Sequence, residues 1–391
     1  MSKKTKVYVG MSGGVDSSLT AALLVEQGYD VTGVYMKNWT KDLPGMKCPW
    51  ADDLADAKRV AVQLGIDFKV FDFENEYKQK VVNYMIDEYK NGRTPNPDIM
   101  CNQEVKFKLF LDTALDDGAD MIATGHYAKV EHYDNDSFAV TSERLRAGSN
   151  KGPGAFLDSG CRSSDITANE PANLKGLLKQ AVDKNKDQTY FLYRVTGEAL
   201  GKTLFPIGEF TKPEVRKMAE ERKLTTAAKK DSQGICFVGQ VGIRDFLSLY
   251  VDQQPGKIID KQSGKVLGYH EGAIFYTLGQ RHGLDVGGGL PYYVVDKDMA
   301  KNEVYVTTDL NDGTLWKDTI NLGNVHWING APDDGKYKIR VRHRAPLVEA
   351  LVKQTTDGVT LKLDNPERAV AYGQSVVIYD GDICLGGGII I

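Results

Sequence analysis

The sequence predicts an α/β protein in three parts: a parallel-sheet domain, a small central domain and a C-terminal β-barrel. Three observations carry this. Over residues 1–130, short apolar strands alternate with amphipathic helices. That alternation implies a parallel sheet with helices on both faces. From about Asn311 the chain turns to alternating residues broken by turns at short intervals, as in KYKIRVRH, EALVKQTTDGVTLKLD and QSVVIYDGDICLGGGIII, a pattern suited to a small barrel. Between them, IIDKQSGKVLG and NEVYVTTDL read as hairpin strands. The expected boundaries are 1–240, 241–310 and 311–391.

Val7 to Met11 reads as the first strand, Ser17 to Gln27 as a helix, and Gly28 as its stop. YDVTGVYMK is a second strand. ADDLADAKRVAVQLGI is a helix with Leu54, Ala57, Val60, Ala61 and Leu64 on one face. FKVFDF is a third strand, Glu74 to Asn91 a helical stretch ending at Gly92, and DMIATGHY a strand running into a Gly-His turn. From about Glu131 to Asp183 the period fades. The segment at about 132–177 is rich in Gly, Ser, Asn and Pro and reads as a long loop or insertion. Order returns with NKDQTYFLYRV and the helix KPEVRKMAEERKL.

The 391 residues are 41% hydrophobic, enough for several cored domains. Net charge is −4 at pH 7, so a nucleic-acid partner must be met by local basic patches. No apolar run approaches membrane-helix length and the N-terminus shows no signal-peptide pattern, so a cytoplasmic protein without membrane association is expected. The five cysteines, 48, 101, 161, 236 and 384, are odd in number and irregularly spaced, which argues for a reducing compartment.

The stretch KVYVGMSGGVDSS puts a glycine-rich turn between strand and helix. Backbone N–H groups at such a helix start cradle anions. A Walker loop needs GxxxxGK[ST], and that Lys is missing. Asp16 would repel phosphate unless a cation stands between them, which implies Mg²⁺. Ser and Asp here are also ordinary helix caps. By its residues alone, Cys236 in DSQGICFVG is evenly balanced: Ile235 and Phe237 favour a buried structural thiol, and Lys229 and Lys230 favour a stabilised thiolate.

GMSGGVDSS after a first strand resembles the PP-loop of the ATP pyrophosphatases, which split ATP into AMP, left on a substrate oxygen, and pyrophosphate. GRTPNPDIMCNQEVKF, ATGHYAKV, NKDQTYFL, KKDSQGICFVG, YTLGQRHGL, VRHRAP and GQSVVIYDGDICLGGG, in that order, are similar to the tRNA-specific 2-thiouridylase family. The family has a short hairpin where this chain has the longer segment 132–177. The resemblance implies ATP as cofactor, a tRNA with a wobble uridine as partner, and a persulfide sulfur-donor protein. It implies adenylation of the uridine 2-oxygen, followed by sulfur transfer.

Residue by residue, the resemblance implies that Cys236 carries the persulfide. Cys101 then completes sulfur release, leaving a disulfide with the carrier. The two are far apart in sequence, and a disulfide needs Cα atoms within about 7 Å, so a mobile segment around Cys236 is expected. Asp98 is the acid–base candidate, or else a turn residue after Pro97. Asn96, Pro97 and Asp98 would contact the target base. Gly10, Met11, Ser12, Gly13, Gly14, Val15, Asp16 and Ser17 would hold the phosphates, with Asp16 the metal ligand. Met36 would line the adenine pocket and Gly125 make a second ATP contact. His126, Lys186, Asp187, Gln188, Arg342, His343 and Gln374 would touch tRNA. If Arg342 lies on a strand, Arg344 shares its face. Lys106, Lys108, Arg93 and Lys229–Lys230 extend a basic path, and Tyr127 and Tyr190 are candidates for base stacking. Two rivals remain: a PP-loop ligase for a small metabolite, and a non-catalytic RNA-binding protein that holds ATP structurally.

Overall fold

The computed structural model describes residues 3–42, 48–134, 174–230, 243–287 and 289–391. Cys161, Cys236 and Lys229's neighbours in the KDSQGICFVG stretch beyond Lys230 lie outside the described residues.

The first domain is built on a five-stranded parallel sheet. Its strands are β1 (Lys6–Gly10), β2 (Asp30–Lys37), β3 (Asp67–Asp72), β4 (Met121–Thr124) and β7 (Thr203–Leu204), in the order β3-β2-β1-β4-β7. Central β1 is buried almost throughout, as a strand covered on both faces must be. Helix α1 (Val15–Glu26) follows β1 and packs its Leu19 and Leu24 inward. Helix α2 (Trp50–Leu64) ends at Gly65, whose φ of 65° is the left-handed C-terminal conformation that glycine accepts freely. The stretch expected as one helix from Glu74 is continuous to Lys90, with a π-helical insert at Lys78–Asn83. A second such stretch runs through Pro97–Met100, the π-helical Cys101–Leu109 and Phe110–Asp116. The sequence analysis did not read it as helix.

The segment read as a loop over about 132–177 is corrected at both ends. Strands β5 (Ala128–Asp134) and β6 (Leu174–Gln180) pair antiparallel, Ala128 opposite Gln180 through to Asp134 opposite Leu174. Buried alternation in β6 is short and includes Lys175 and Lys179, so its period was too weak to read. Salt bridges Lys179–Glu131 and Lys175–Glu198 explain why lysines sit there.

The central domain follows the helix Ile243–Leu247. Strands β8 (Gly256–Asp260), β9 (Val266–His270), β10 (Tyr293–Asp298) and β11 (Glu303–Thr307) form a sheet ordered β10-β11-β8-β9 over a small core of Ile258, Val294, Val304 and Val306.

The C-terminal part is a closed six-stranded barrel of β12 (Trp316–Trp327), β13 (Gly335–Arg340), β14 (Val348–Thr355), β15 (Gly358–Arg368), β16 (Ser375–Asp380) and β17 (Ile383–Ile390). Order runs β12-β15-β14-β13-β16-β17, and β12 pairs with β17 to close it. Alternate residues such as Ile339, Val352, Leu361 and Ile378 fill its interior. Beyond β17 the sheet continues into β6 and β5. The hairpin from the first domain is thus an extension of the barrel sheet.

The expected pairing of Arg342 and Arg344 on a strand face is overturned. Strand β13 ends at Arg340, and Arg344 sits in a turn at φ 63°, a conformation no strand contains.

One buried ion pair joins the parts. Arg340 on β13 donates to Asp187 at 3.0 Å, and both side chains are nearly free of solvent exposure. Asp187 also accepts from the Ala181 N–H and the Thr189 hydroxyl. Removing one partner leaves an uncompensated buried charge. Arg340→Ala is therefore expected to lower stability by about 3–5 kcal/mol, read by denaturant titration. Asp187→Asn, which keeps the size and some hydrogen bonds, should cost less.

Candidate functional site

Three poles make up the site, and residues 183–193 touch all of them. The first pole is the glycine-rich turn. It leaves β1 at the carboxyl edge of the sheet, where parallel folds bind ligands. The Met11 N–H still bonds to Val34, after which the chain turns. Gly13 has φ 73°, and a Cβ there would lie 2.3 Å from the Asp53 carbonyl oxygen; no other residue fits this turn. The Ser12 N–H donates to the Ser17 hydroxyl at 3.2 Å, and the Ser17 and Ser18 hydroxyls donate to the Gly14 carbonyl. Gly14 is the N-cap of α1, so Val15, Asp16 and Ser17 form its first turn. That first turn presents unpaired N–H groups. Gly125 lies against it: a Cβ on Gly125 would be 2.8 Å from the Ser17 nitrogen. Met36, at the end of β2, lies against Gly10.

The lysine that the turn lacks in sequence arrives from elsewhere. Lys212, on the helix Lys212–Glu221, reaches Asp16 with Nζ 2.7 Å and 2.9 Å from its two carboxylate oxygens. The Tyr127 hydroxyl donates to Asp16 at 2.8 Å. Lys212 is buried, and its own N–H is held by the Asp183 carboxylate at 3.0 Å. No motif in the sequence marks Lys212. Its capping box with Thr211 and Glu214 identifies a helix start, but nothing local tells where that start points. Lys229, one of the two lysines that favour a Cys236 thiolate, is paired with Asp53 and Asp56 at 2.7 Å and 2.6 Å, and Cys236 lies outside the described residues. The site suits a nucleotide triphosphate carrying a divalent cation. Among the described residues no cluster of three or more His, Cys, Asp or Glu side chains forms a metal cage. Mg²⁺ bound with phosphates needs one or two carboxylates, and the carboxylate at this turn is that of Asp16.

The second pole starts at Asn96. Its side chain caps the helix Pro97–Met100, accepting from the Asp98 and Ile99 N–H groups at 3.1 Å and 3.4 Å. Pro97 takes the first helical position, where its missing N–H costs nothing. Asp98 is partly exposed. Cys101 begins the π-helical stretch and is only 1% exposed. Next to it, the Asn102 amide donates to the Phe191 carbonyl at 3.1 Å. From the barrel, Gln374 donates to the Thr94 carbonyl at 3.0 Å, and the Thr94 N–H donates to Tyr372. Gln374 thus holds the 94–98 segment in place.

The third pole is a basic cleft of about 480 Å³ between the loop after β6 and the turn after β13, lined by Lys184, Lys186, Arg340 and Arg344. Lys184 was not singled out in the sequence. Burial pushes its pKa down, and the Asp187 carboxylate acts against that shift. Beside the cleft, Arg342 is half exposed. The His343 ring packs on Phe191 with centroids 4.3 Å apart. Burial, then Arg344 and Arg340, pushes the His343 pKa down to about 4, so it is neutral at pH 7.

Several expected contacts are placed differently. Asp187 is 1% exposed and engaged with Arg340, so it supports the cleft from beneath and is not open to RNA. His126 is buried between Phe107 and Phe205, bonded to the Thr124 hydroxyl at 2.8 Å. Gln188 accepts from the Tyr127 N–H at 2.8 Å and links the first pole to the loop. Tyr127 and Tyr190 are buried, with the Tyr190 hydroxyl on the Ser375 carbonyl, so neither offers a face to a base. Lys186 remains on the cleft, and Cys236 lies outside the described residues.

Lys212→Met should weaken ATP binding by about 1.5–3 kcal/mol, roughly ten- to a hundredfold in Kd, and leave AMP binding nearly unchanged. Isothermal titration with both nucleotides checks this. Equal loss for ATP and AMP would mean that Lys212 acts only by holding the turn.

Comparison with known proteins follows the same three parts. A tRNA methyl transferase HUP domain matches residues 5–151 and 161–240, a tRNA methyl transferase PRC-barrel domain residues 244–308, and an aminomethyltransferase beta-barrel domain residues 317–390. The tRNA-specific 2-thiouridylase MnmA of Bacillus cytotoxicus is 42% identical over 398 residues, covering 99% of this chain and 95% of its own. That of Bacillus anthracis is 43% identical over 391 residues, with the same coverage. Among solved structures, an NMN synthetase from Francisella tularensis matches 59% of this chain and 66% of its own with a TM-score of 0.30 and 12% identity, too slight to carry an argument. By full-length likeness to these curated relatives, the chain belongs to the tRNA-specific 2-thiouridylase family.

Proposed function

We propose that the protein converts the wobble uridine of tRNA to 2-thiouridine, using ATP to activate the 2-oxygen and a cysteine persulfide to deliver sulfur. The observation that carries the reading is the 183–193 segment. Its Asp183 holds the helix of Lys212, its Gln188 holds Tyr127 against Asp16, its Phe191 carbonyl holds the Cys101 helix, and its Asp187 holds Arg340 in the basic cleft. A nucleotide site, a cysteine and a basic cleft are thereby fixed relative to one another. The family's full-length likeness supports the same reading. A small-metabolite ligase would need neither the cysteine nor the cleft.

In this reading the turn Gly10–Ser17 binds the phosphates through its N–H groups and hydroxyls. Lys212 takes the charge of the departing pyrophosphate, and Asp16 holds the Mg²⁺, which would supply charge neutralisation. Met36 and Gly125 shape the nucleotide pocket. Asn96, Pro97 and Asp98 face the target base, with Asp98 moving the proton. Cys236, loaded by a persulfide donor protein, delivers sulfur to the activated C2, and AMP leaves. The Cys101 thiolate then attacks the Cys236 sulfur. A Cys101–Cys236 disulfide forms, the sulfur stays on C2, and an external thiol reopens the disulfide. Cys101 is buried, so the helix Pro97–Met100 and its cover must open for this step. Lys186, Arg342 and His343 meet the tRNA backbone at the cleft, with Gln374 acting through Thr94. His126 and Asp187 act from behind this surface.

The test is nucleoside analysis of tRNA after incubation with ATP, Mg²⁺ and a persulfide donor. Cys236→Ser should abolish 2-thiouridine yet keep tRNA-dependent pyrophosphate release. Cys101→Ser should accept persulfide on Cys236 and stall at sulfur release. Full thiolation by Cys236→Ser would refute the assigned carrier.

Because phosphates meet local cations on a chain of net negative charge, tRNA binding should weaken with salt. Arg342→Ala should weaken binding and reduce the log–log salt slope by about 1, with ATP binding unchanged. Filter binding across a salt series checks this.

A further inference from the structure

A second cavity lies where all three parts of the chain meet, and nothing in the site above uses it. Its volume is about 430 Å³. One wall is the backbone of Gly92–Thr94, the central domain gives Leu278, Lys297 and Met299, and the barrel gives Tyr372 and Ile391. The walls are fixed against each other. A Cβ on Gly92, at φ 74°, would lie 2.8 Å from the Met299 side chain. The Thr94 hydroxyl is 3.3 Å from that of Thr277, and a Cβ on Gly279 would lie 2.3 Å from the Ala369 Cβ. The cavity is therefore a built feature of the domain junction.

Its chemistry is mixed. Leu278, Met299 and Ile391 make it apolar, and Tyr372 remains 48% exposed on its rim. Two charged groups reach it from the central domain, Asp296 and Lys297. The Lys297 amine donates one hydrogen bond, to the Tyr276 carbonyl at 2.8 Å, and burial pushes its pKa down to about 8. Arg93 on the opposite wall is already held by Glu88 through two bonds of 2.7 Å and 2.5 Å. A flat ring with an apolar face and carbonyl or ring-nitrogen acceptors on its edge fits this set: Tyr372 for the face, Lys297 for the edge.

The position identifies the ring. Thr94 lines the cavity, and Asn96, proposed to face the target uridine, is two residues along the chain, at most about 7 Å away. Single-stranded RNA is read by splaying bases apart and stacking them on aromatic side chains. We propose that this cavity receives a second unpaired base of the tRNA anticodon loop, adjacent to the target uridine, stacked on Tyr372 and hydrogen-bonded by Lys297. This rests on the tRNA reading above and adds a subsite formed by the central domain. A free nucleotide has the same chemistry, so the experiment separates the two.

The experiment pairs wild type and Tyr372→Ala with an anticodon stem-loop RNA, intact or with an abasic residue beside the target uridine on either side. Base stacking predicts that one of the two abasic RNAs binds wild type about 5- to 100-fold more weakly. Tyr372→Ala should lower affinity for intact RNA by a similar factor and be indifferent to that abasic change, while Tyr372→Phe behaves as wild type. Lys297→Met, which leaves the ring platform in place, should lower affinity for intact RNA by a smaller factor. ATP affinity and melting temperature should be unaltered in each variant. Additive losses from Tyr372→Ala and the abasic residue, or equal binding of intact and both abasic RNAs by wild type, would overturn the subsite. So would competition by a free nucleoside monophosphate that matches the effect of the RNA base. Failure of wild type to bind the intact RNA at all would instead overturn the tRNA reading beneath it.

Discussion

The buried pair between Asp187 and Arg340 is the interaction on which the site's geometry depends. An isolated buried carboxylate or guanidinium is costly, and in this pair each charge offsets the other. Asp187 accepts from Arg340, from the Ala181 backbone and from Thr189. Strand β17 continues into β6 a few residues away. The barrel is therefore bound to the first domain by both a shared sheet and a shared charge. Basic groups crowd the cleft above, and the Asp187 carboxylate is the counter-charge that makes their crowding tolerable.

From that pair outward, one short segment coordinates the chemistry. A residue of the nucleotide pole, a residue of the cysteine helix and a residue of the basic cleft each bond to residues 183–193. Rigid support of this kind holds reacting groups within the small tolerances catalysis demands. It also separates what moves from what does not. The Lys212–Asp16 contact joins two charged side chains that can exchange partners, whereas Gln188 holds the Tyr127 backbone N–H and Asp187 is buried against Arg340. Cys101 is almost fully buried.

Much of this was legible in the chain. Strands β1 to β4, the two helices α1 and α2 and the barrel strands are long enough and periodic enough to show their class. The SGGVDSS turn pointed to an anion site because glycine and hydroxyl residues meet there at a strand–helix junction, although the same residue types also cap helices. Read as a strand, VRHRAP gave a false pairing of Arg342 with Arg344. The positive φ of Arg344 is a property of the folded turn that its residue type does not encode. Likewise, aromatic residues beside site motifs suggested stacking platforms, but Tyr127 and Tyr190 were drawn into the core to satisfy Asp16 and Ser375.

By itself the sequence determined the fold class, the family, the glycine-rich turn between β1 and α1 and the place of the Asn96–Cys101 motif along the chain, because each depends on contiguous residues. Only the tertiary structure decided which cation serves that turn, since Lys212 is brought to Asp16 across almost two hundred residues. It alone placed the β5–β6 hairpin on the barrel, because strand pairing partners are chosen by the packed sheet and not by local pattern. It alone distinguished the buried Asp187 from the exposed Arg342, although both sit in motifs of similar polarity. Burial is a property of all the neighbours a residue acquires, and those neighbours are distant in sequence.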